Sequence, residues 1–408
     1  MLALDDQIGR ERPLQNWGDG AGMKSGQRVF RCFAVCVICL AICLMIAAPR
    51  FVSASDSTDV AKMDGIFSAA GLKSDRAPGA AVLVIRGGQV VFERGYGVTD
   101  LDSFGKIGPR TNFRLASVSK QFTAMAIMLL VHDGRLHYED RLTDIFPDFP
   151  GYGKAITIRH LLNHTSGLED YEDLMPQSDP RVPVEQIQIQ DLGVLDLLKR
   201  QKSTRFAPGS KWAYSNSGYV LLGLIVQKVS ARPFPDFLHD RIFAPLGMTN
   251  TVAYVRGRNN VPNRAFGHSR EGETWKRTDQ SPTSATLGDG GIYSSLEDLA
   301  KWDRALRHNA LLSEREMQSA FTPVKVVEGA VTEPDGSPAA YGFGWFLNPY
   351  KGYGRMWHYG ETMGFRTAIQ RFDHDNLTIV VLCNRADLDP SALALKVADL
   401  FFLPPKQT

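Results

Sequence analysis

The chain has 408 residues, of which 44% are hydrophobic and 22% charged, as is usual for a folded protein with a large buried core. Its formal net charge is +2, and removing the six basic and four acidic residues of 1–54 leaves 40 of each sign. This balance gives no reason to expect nucleic acid or an acidic membrane surface as a partner.

The first 54 residues form a segment of different character. Three basic residues follow Met23, and then come sixteen uncharged residues, 33–48, and the small-residue sequence Val-Ser-Ala at 52–54. This pattern predicts a secretory signal, with Met23 as a candidate start, that is cleaved before Ser55. We therefore expect a periplasmic or secreted protein whose main domain covers 55–404. An uncleaved anchor is the alternative, and only then do we expect contact with a membrane.

The cysteines support this division. Four of the five lie within 32–43, so the mature chain keeps only Cys383 and cannot form an internal disulfide. Cys383 lies in an apolar, strand-like run, which predicts an inert core residue.

Strand-like runs occur near both ends of the remaining chain. The runs 80–86 and 89–95 are separated by Gly-Gly, which predicts a hairpin, and the runs 366–372 and 377–383 are separated by a polar turn. Helical patterns cover 122–132, 158–163, 187–200, 218–230, 235–243, 296–308 and 391–402. The sequence therefore predicts an α+β fold, in which both chain ends build an antiparallel sheet flanked by terminal helices. A mainly helical lobe is inserted between them, and a cleft separates the two parts.

A Ser-Val-Ser-Lys motif runs from Ser117 to Lys120 and leads into the apolar run 122–131. If this run is a helix, the two residues lie at i and i+3 in its first turn, where the amine can reach the hydroxyl. Serine needs a neighbouring base to become a nucleophile, and a lysine buried against apolar groups can be neutral enough to serve. A second match, Ser103 to Lys106, lies in a loop without a helical pattern, and we interpret it as coincidence.

Two further motifs occur at positions that suit a cleft. Tyr214-Ser215-Asn216 follows a turn and precedes the helical run 218–230, so the phenol can relay a proton and the Asn216 amide can bind a substrate amide. His358-Tyr359-Gly360-Glu361 precedes the strand that starts near residue 365. There Gly360 would let a substrate approach the backbone, and the next N–H group could point at an oxyanion. His358 would line the cleft as a donor, or as a cation toward a carboxylate.

The three motifs in this order resemble the serine β-lactamase and penicillin-recognising superfamily, in particular its β-lactamase/transpeptidase-like branch. That branch contains class C β-lactamases, D-alanyl-D-alanine carboxypeptidases, D-aminopeptidases and esterases. The resemblance extends from about residue 80 to 402 and includes the accessory stretches 113–116, 157–168, 206–209, 245–248 and 290–295.

The resemblance implies Ser117 as the nucleophile, with Lys120 and Tyr214 handling its proton; which of the two is the base stays open. It implies Asn216 as a substrate-binding residue and the N–H groups of Ser117 and Glu361 as the oxyanion hole. No cofactor is expected. His160 and His164 have the spacing of metal ligands on a helix, but no third ligand motif accompanies them, so we expect no metal.

The third motif departs from the Lys-Thr-Gly that class C β-lactamases usually carry. Tyr359 is bulky and Glu361 is acidic, which argues against efficient binding of a β-lactam carboxylate; Arg366 is a possible replacement cation. We expect a secreted serine hydrolase that cleaves an amide or ester of a small-molecule or peptide substrate through an acyl-enzyme on Ser117. The alternatives are a β-lactamase and a penicillin-binding or sensing module that does not turn over.

Overall fold

Five strands form the central antiparallel sheet of the computed structural model, which describes residues 57–402 except 178, 180 and 334. The strand order is β2-β1-β10-β9-β8. These strands are β1 (Ala80–Arg86), β2 (Gln89–Tyr96), β8 (Met356–Thr362), β9 (Phe365–Phe372) and β10 (Leu377–Cys383). Strands from the two chain ends meet where β1 pairs with β10, from Ala80 opposite Cys383 to Arg86 opposite Leu377. The predicted α+β architecture is confirmed.

Both faces of the sheet are covered, which explains why β1 and β10 are apolar at almost every position rather than at alternate ones. Val82 and Val84 pack with Phe67 and Leu393 of the terminal helices. Side chains of intervening residues, such as Leu83, join the larger core under the helical lobe. The terminal helices are α1 (Ser57–Ala69) and α11 (Pro390–Ala398).

The helical lobe is built around two long helices, α2 (Lys120–His132) and α7 (Asn216–Ser230). Almost all of α2 is buried, and it ends before Gly134, whose φ of +68° favours glycine. The other helices are α3 (Leu142–Ile145), α4 (Ile158–Leu162), α5 (Tyr171–Leu174), α6 (Asp191–Lys199), α8 (Phe234–Leu238), α9 (Leu296–Arg307) and α10 (Glu314–Met317). Short strands complete the fold: β3 (Phe113–Arg114), β4 (Val252–Ala253) and β7 (Ile292–Ser294) form one sheet, and β5 (His268–Glu271) and β6 (Thr274–Arg277) form a hairpin.

Some predicted boundaries were wrong. The helix predicted at 187–200 begins only at Asp191, because the preceding residues pair with a distant loop: Ile189 N–H donates to the Pro282 carbonyl, and Gln190 bridges Ala285. The helix predicted at 235–243 divides into α8 and a π-helical turn, His239–Phe243. The last helix ends at Ala398 instead of 402.

Within the part of the chain that the structure describes, no helix has the length and apolar character needed to cross a bilayer. The predicted secretory signal at 1–54 lies outside the described residues. Cys383 is a buried free thiol, and burial raises its pKa to about 12, which agrees with the predicted inert core residue.

Candidate active site

Ser117 lies on a short 3₁₀ helix, Ala116–Ser119, that leads directly into α2. Ala116 has a φ of +48°, a strained value for a residue other than glycine and one that is often retained at functional sites. Because Ser117 is in the first turn, its N–H group lacks an acceptor within the helix. The turn therefore holds a hydroxyl together with an amide donor that has no acceptor within the helix.

Lys120 lies beneath this turn and is fully buried. Its Nζ is 2.9 Å from each of three oxygens: Ser117 Oγ, Asn216 Oδ1 and the Asp289 carbonyl. Burial lowers the pKa of Lys120 to about 8, although Asp289, Asp170 and Glu172 raise it in part. A substantial fraction of this amine is therefore neutral near pH 8, where it can accept a proton.

Tyr214 and Asn216 flank Ser215, which caps α7 by accepting a hydrogen bond from the Gly218 N–H. The cap turns both neighbours toward Lys120, whose Nζ is 4.9 Å from the centre of the Tyr214 ring. Burial raises the pKa of Tyr214 well above its usual value, and the nearby Ser117 side chain lowers it only in part. The Tyr214 hydroxyl is buried and makes no hydrogen bond of normal geometry to the described residues.

The edge strand β8 lies directly against the turn that carries Ser117. A Cβ added at Gly360 would be 2.1 Å from the Leu115 carbonyl oxygen, so the close approach that requires glycine is to the protein's own backbone. Trp357 exchanges backbone hydrogen bonds with Phe346 on the outer side of β8. Because peptide groups alternate along a strand, the Glu361 N–H also points outward from the sheet edge.

His358 does not line an open cleft. It is fully buried, its Nδ1 is 2.6 Å from the Tyr359 carbonyl, and its Nε2 is 3.1 Å from the Tyr341 hydroxyl. Burial, together with the Lys120 charge, lowers the pKa of His358 to about 3. The expectation of a cation facing a substrate carboxylate is therefore corrected: this histidine is neutral, and it packs 6.2 Å from Tyr214, measured between ring centres.

Arg366 is also committed to the protein itself. Its Nη1 donates to the Thr362 and Phe365 carbonyls, each at 2.9 Å, and its Nη2 pairs with Glu361 at 2.7 Å. The structure thus gives no free cation at this position.

Sequence reasoning missed three carboxylates around Lys120. Asp170 accepts the Asn216 N–H at 2.8 Å, Glu172 lies 3.5 Å from the Asn216 amide nitrogen, and Asp289 accepts from Tyr171. Burial and the neighbouring Asp170 raise the pKa of Glu172 to about 7. The signal that could have found Asp170 and Glu172 is the acidic run 169–173, which begins one residue after the Thr-Ser-Gly stretch; no comparable signal marks Asp289.

His160 and His164, which have the spacing of metal ligands, both have backbone partners. The Nδ1 of His160 accepts the Thr157 N–H at 3.2 Å, and that of His164 accepts the Ser215 N–H at 3.1 Å. His164 is buried against the Tyr214 ring, with 4.3 Å between ring centres. No group of three or more potential metal ligands occurs among the described residues.

A sequence model of the family described as Beta-lactamase matches residues 65–401. The chain belongs to the beta-lactamase family. It is 33% identical over 334 residues to penicillin-binding protein 4* of Bacillus subtilis, covering 78% of this chain and 71% of that protein. The putative penicillin-binding protein PbpX of the same species is 30% identical over 300 residues, covering 74% and 68%.

Solved structures agree with this assignment. A penicillin-binding protein homologue from Pyrococcus abyssi, described as octameric, superposes with a TM-score of 0.72 and 26% identity, covering 84% of this chain and 77% of that one. The D-amino acid amidase of Ochrobactrum anthropi, solved with L-phenylalanine, gives a TM-score of 0.70 and 25% identity, covering 84% and 98%. The chain is therefore a member of a serine hydrolase family with the β-lactamase fold.

Proposed function

We propose that the protein hydrolyses an amide or ester through an acyl-enzyme on Ser117. The observation that carries the proposal is the 2.9 Å contact between Lys120 Nζ and Ser117 Oγ. A neutral Lys120 amine can accept the serine proton while its own two N–H groups still donate to the Asn216 amide oxygen and the Asp289 carbonyl. With Lys120 neutral and Ser117 protonated, each N–H group of the amine and the serine O–H group therefore has a hydrogen-bond acceptor.

In the acylation step, Ser117 Oγ bonds to the substrate carbonyl carbon as its proton passes to Lys120. The carbonyl oxygen takes up the electron pair, and the N–H groups of Ser117 and Glu361 stabilise it. Collapse of this intermediate expels the amine or alcohol, which receives the proton from Lys120 through the Tyr214 hydroxyl. Water then attacks the ester and gives its proton to Lys120, and the acid leaves as Ser117 Oγ is reprotonated.

The substrate class we favour is a small or D-amino-acid amide or ester, bound in part by the Asn216 side chain. Two observations support this choice: the similarity to a D-amino acid amidase and the carboxylates grouped near Asn216. β-Lactam hydrolysis is less well supported, since Arg366, the cation opposite Glu361 on the neighbouring strand, is already paired with Glu361. We also propose export by the 1–54 segment, with Ser55 as the mature amino end.

The test is covalent labelling of the purified mature protein with a fluorophosphonate, followed by intact mass measurement. We expect one adduct on the wild type and none on Ser117→Ala. Turnover of a D-alanyl amide and of p-nitrophenyl butyrate then separates amidase from esterase activity, and nitrocefin reports β-lactamase activity. An undiminished adduct on Ser117→Ala would contradict the proposal. A stable adduct without any turnover would instead indicate the sensing module.

A further inference from the structure

A pocket of about 380 Å³ lies along β8, and its lining includes Glu361, whose N–H group is proposed for the oxyanion hole. We call it the edge pocket and define it by Glu333, Asp335, Tyr359, Glu361, Asp389 and Ser391. Tyr359 and Glu361 are two residues apart on β8, so their side chains share one face of the strand, and His358 and Gly360 face the opposite way. Arg366 is opposite Glu361 in the register and lines the same pocket.

Two of the pocket's carboxylates already have cationic partners. Glu361 pairs with Arg366 at 2.7 Å, and Glu333 pairs with Arg355 at 3.0 Å. Arg366 is further occupied by two backbone carbonyls. The pocket therefore has no cation left for an incoming anion.

The other two carboxylates are not neutralised in this way. Within the described residues, no cationic side chain lies within 4.0 Å of Asp335 or Asp389; Asp335 accepts from Ser337, and Asp389 caps α11. The lining therefore carries an excess of negative charge. An anionic group entering it would have to be desolvated without a partner, which is costly.

One further group suits a cationic organic ligand. Tyr359 is partly exposed and offers an aromatic ring, which attracts cations. The ring of Trp357 is not available for this purpose, because Phe346 stacks on it and the Arg355 guanidinium lies 4.5 Å from its centre.

We infer that the edge pocket binds an organic ammonium group, and that substrates of this enzyme carry such a group on the part that passes over the edge of β8. The second half of this statement rests on the proposed function, because it requires the scissile carbonyl to be bound at Ser117 and Glu361. A free carboxylate at the same position is disfavoured. The substrate class is accordingly an amide or ester bearing a primary amine, rather than a peptide ending in a free carboxylate beside this strand.

The test is calorimetric titration of the full mature protein with three probes of one size: benzylammonium, benzyl alcohol and benzoate. We expect benzylammonium to bind about fivefold or more tightly than benzyl alcohol at low salt, and benzoate to bind most weakly. The preference should shrink at high salt, because screening weakens partly exposed charges.

The double variant Asp335→Asn plus Asp389→Asn removes the unpaired charges, and asparagine still caps α11. We expect it to lose most of the preference for benzylammonium. Asp196→Asn, on an exposed position of α6, removes a charge of the same sign elsewhere and should leave the preference unchanged. If the double variant fails to fold, the exposed single variant Asp335→Asn takes its place, with a partial loss expected.

The outcomes separate this inference from the proposed function. Tighter binding of benzoate, or a preference for benzylammonium that survives the double variant, would overturn the inference while labelling of Ser117 stands. Binding as expected without labelling of Ser117 would remove the hydrolase proposal and leave a cation-binding pocket. For the substrate claim, an amide with a 4-aminobutyl leaving group should give a higher kcat/KM than its butyl counterpart, and the reverse order would overturn it.

Discussion

Lys120 is the residue whose environment most affects the proposed chemistry. It is fully buried, and desolvation outweighs three nearby carboxylates in setting its pKa at about 8. The same carboxylates keep the ammonium form accessible, so the amine can take up a proton and release it again. A lysine on the surface would stay charged and could not act as a base at neutral pH.

The first prediction concerns the pH dependence of acylation. The neutral fraction of Lys120 grows as pH rises through its pKa, so the second-order rate of Ser117 acylation should increase with pH and level off above about 8. Lys120→Met, which has a side chain of similar length, should lower this rate by about 10²–10⁴-fold and remove the rising limb. Rates of fluorophosphonate labelling between pH 6 and 9.5 measure both effects. A rate independent of pH in the wild type would count against Lys120 as the base.

At the scale of single residues, the sequence identified groups that the fold brings together. The i, i+3 spacing predicted the proximity of Ser117 and Lys120, whereas the grouping of Asn216 with them was implied by the family resemblance and not by its position at a helix entrance. The sequence did not reveal the surroundings of His358. The strand register determines which face of β8 a residue occupies, and the motif alone does not give that register. Nor could a motif show that Asp289, far away in sequence, would place its carbonyl beside Lys120.

The contact between β8 and the Ser117 turn is close enough to exclude any side chain at Gly360. Thr367 Oγ1 donates to the Leu115 carbonyl at 2.7 Å, and Gly360 packs against the same carbonyl. The backbone groups proposed to form the oxyanion hole are thus held by two strands at once, so a shift of β8 would change their separation.

The second prediction follows from this contact. In Gly360→Ala the new methyl group would meet the Leu115 carbonyl oxygen, so β8 must move; we expect a loss of about 1–3 kcal/mol in unfolding free energy together with slower acylation. Urea unfolding and labelling rates measure the two effects. The control is Gly65→Ala on α1, where, apart from the chain neighbours and the backbone of the helix itself, no atom of the described residues lies within 4 Å of the new methyl group; stability should rise by about 0.5–1 kcal/mol. Equal stability of Gly360→Ala and the wild type would contradict the packing argument.

At the scale of elements, strands and helices were predicted accurately where their sequence pattern has a clear boundary. The predicted strands 80–86 and 377–383 match the structure. The first apolar run ends at Gly-Gly, and the second begins directly after a polar turn, so both have a clear boundary in the sequence. The start of α6 was wrong because a long-range backbone pairing outweighs local helical preference. The two- to four-residue strands β3 to β7 were not predicted, since segments so short leave no period to detect.

A buried charge network joins the sheet to the helical lobe and affects the whole molecule. Asp303 of α9 accepts from Arg371 of β9 at 2.9 Å, from Thr378 of β10 at 2.7 Å and from Arg307 at 2.8 Å. Arg371 and Asp303 are 1% and 2% exposed. Burial alone would raise the pKa of Asp303, but these partners outweigh burial and lower it.

The third prediction is that Asp303→Asn lowers the unfolding free energy by up to about 3–5 kcal/mol at pH 7, because it removes the buried carboxylate partner of Arg371 and leaves this buried arginine paired with the half-exposed Asp373. Since the pKa of Asp303 is lower in the folded state, its contribution is present above its unfolded value near 4 and is lost as pH falls through the folded value. Urea unfolding at pH 7 and pH 3 should therefore show a smaller difference between variant and wild type in acid. Asp236→Asn, from an exposed pair with Arg258, should cost about 0–1 kcal/mol. Similar losses for both variants would refute the assignment.

The pairing of β1 with β10 has a consequence for how this protein is made. Residues nearly 300 positions apart must find each other before the hairpin of β1 and β2 gains its second neighbour, so the nascent chain cannot complete its sheet until residues 377–383 have been synthesised. A ribosome-bound fragment lacking the last strand would leave β1 with an open edge, a known starting point for aggregation. Productive folding should thus wait until β10 has been made, and premature termination anywhere before residue 377 should give insoluble material.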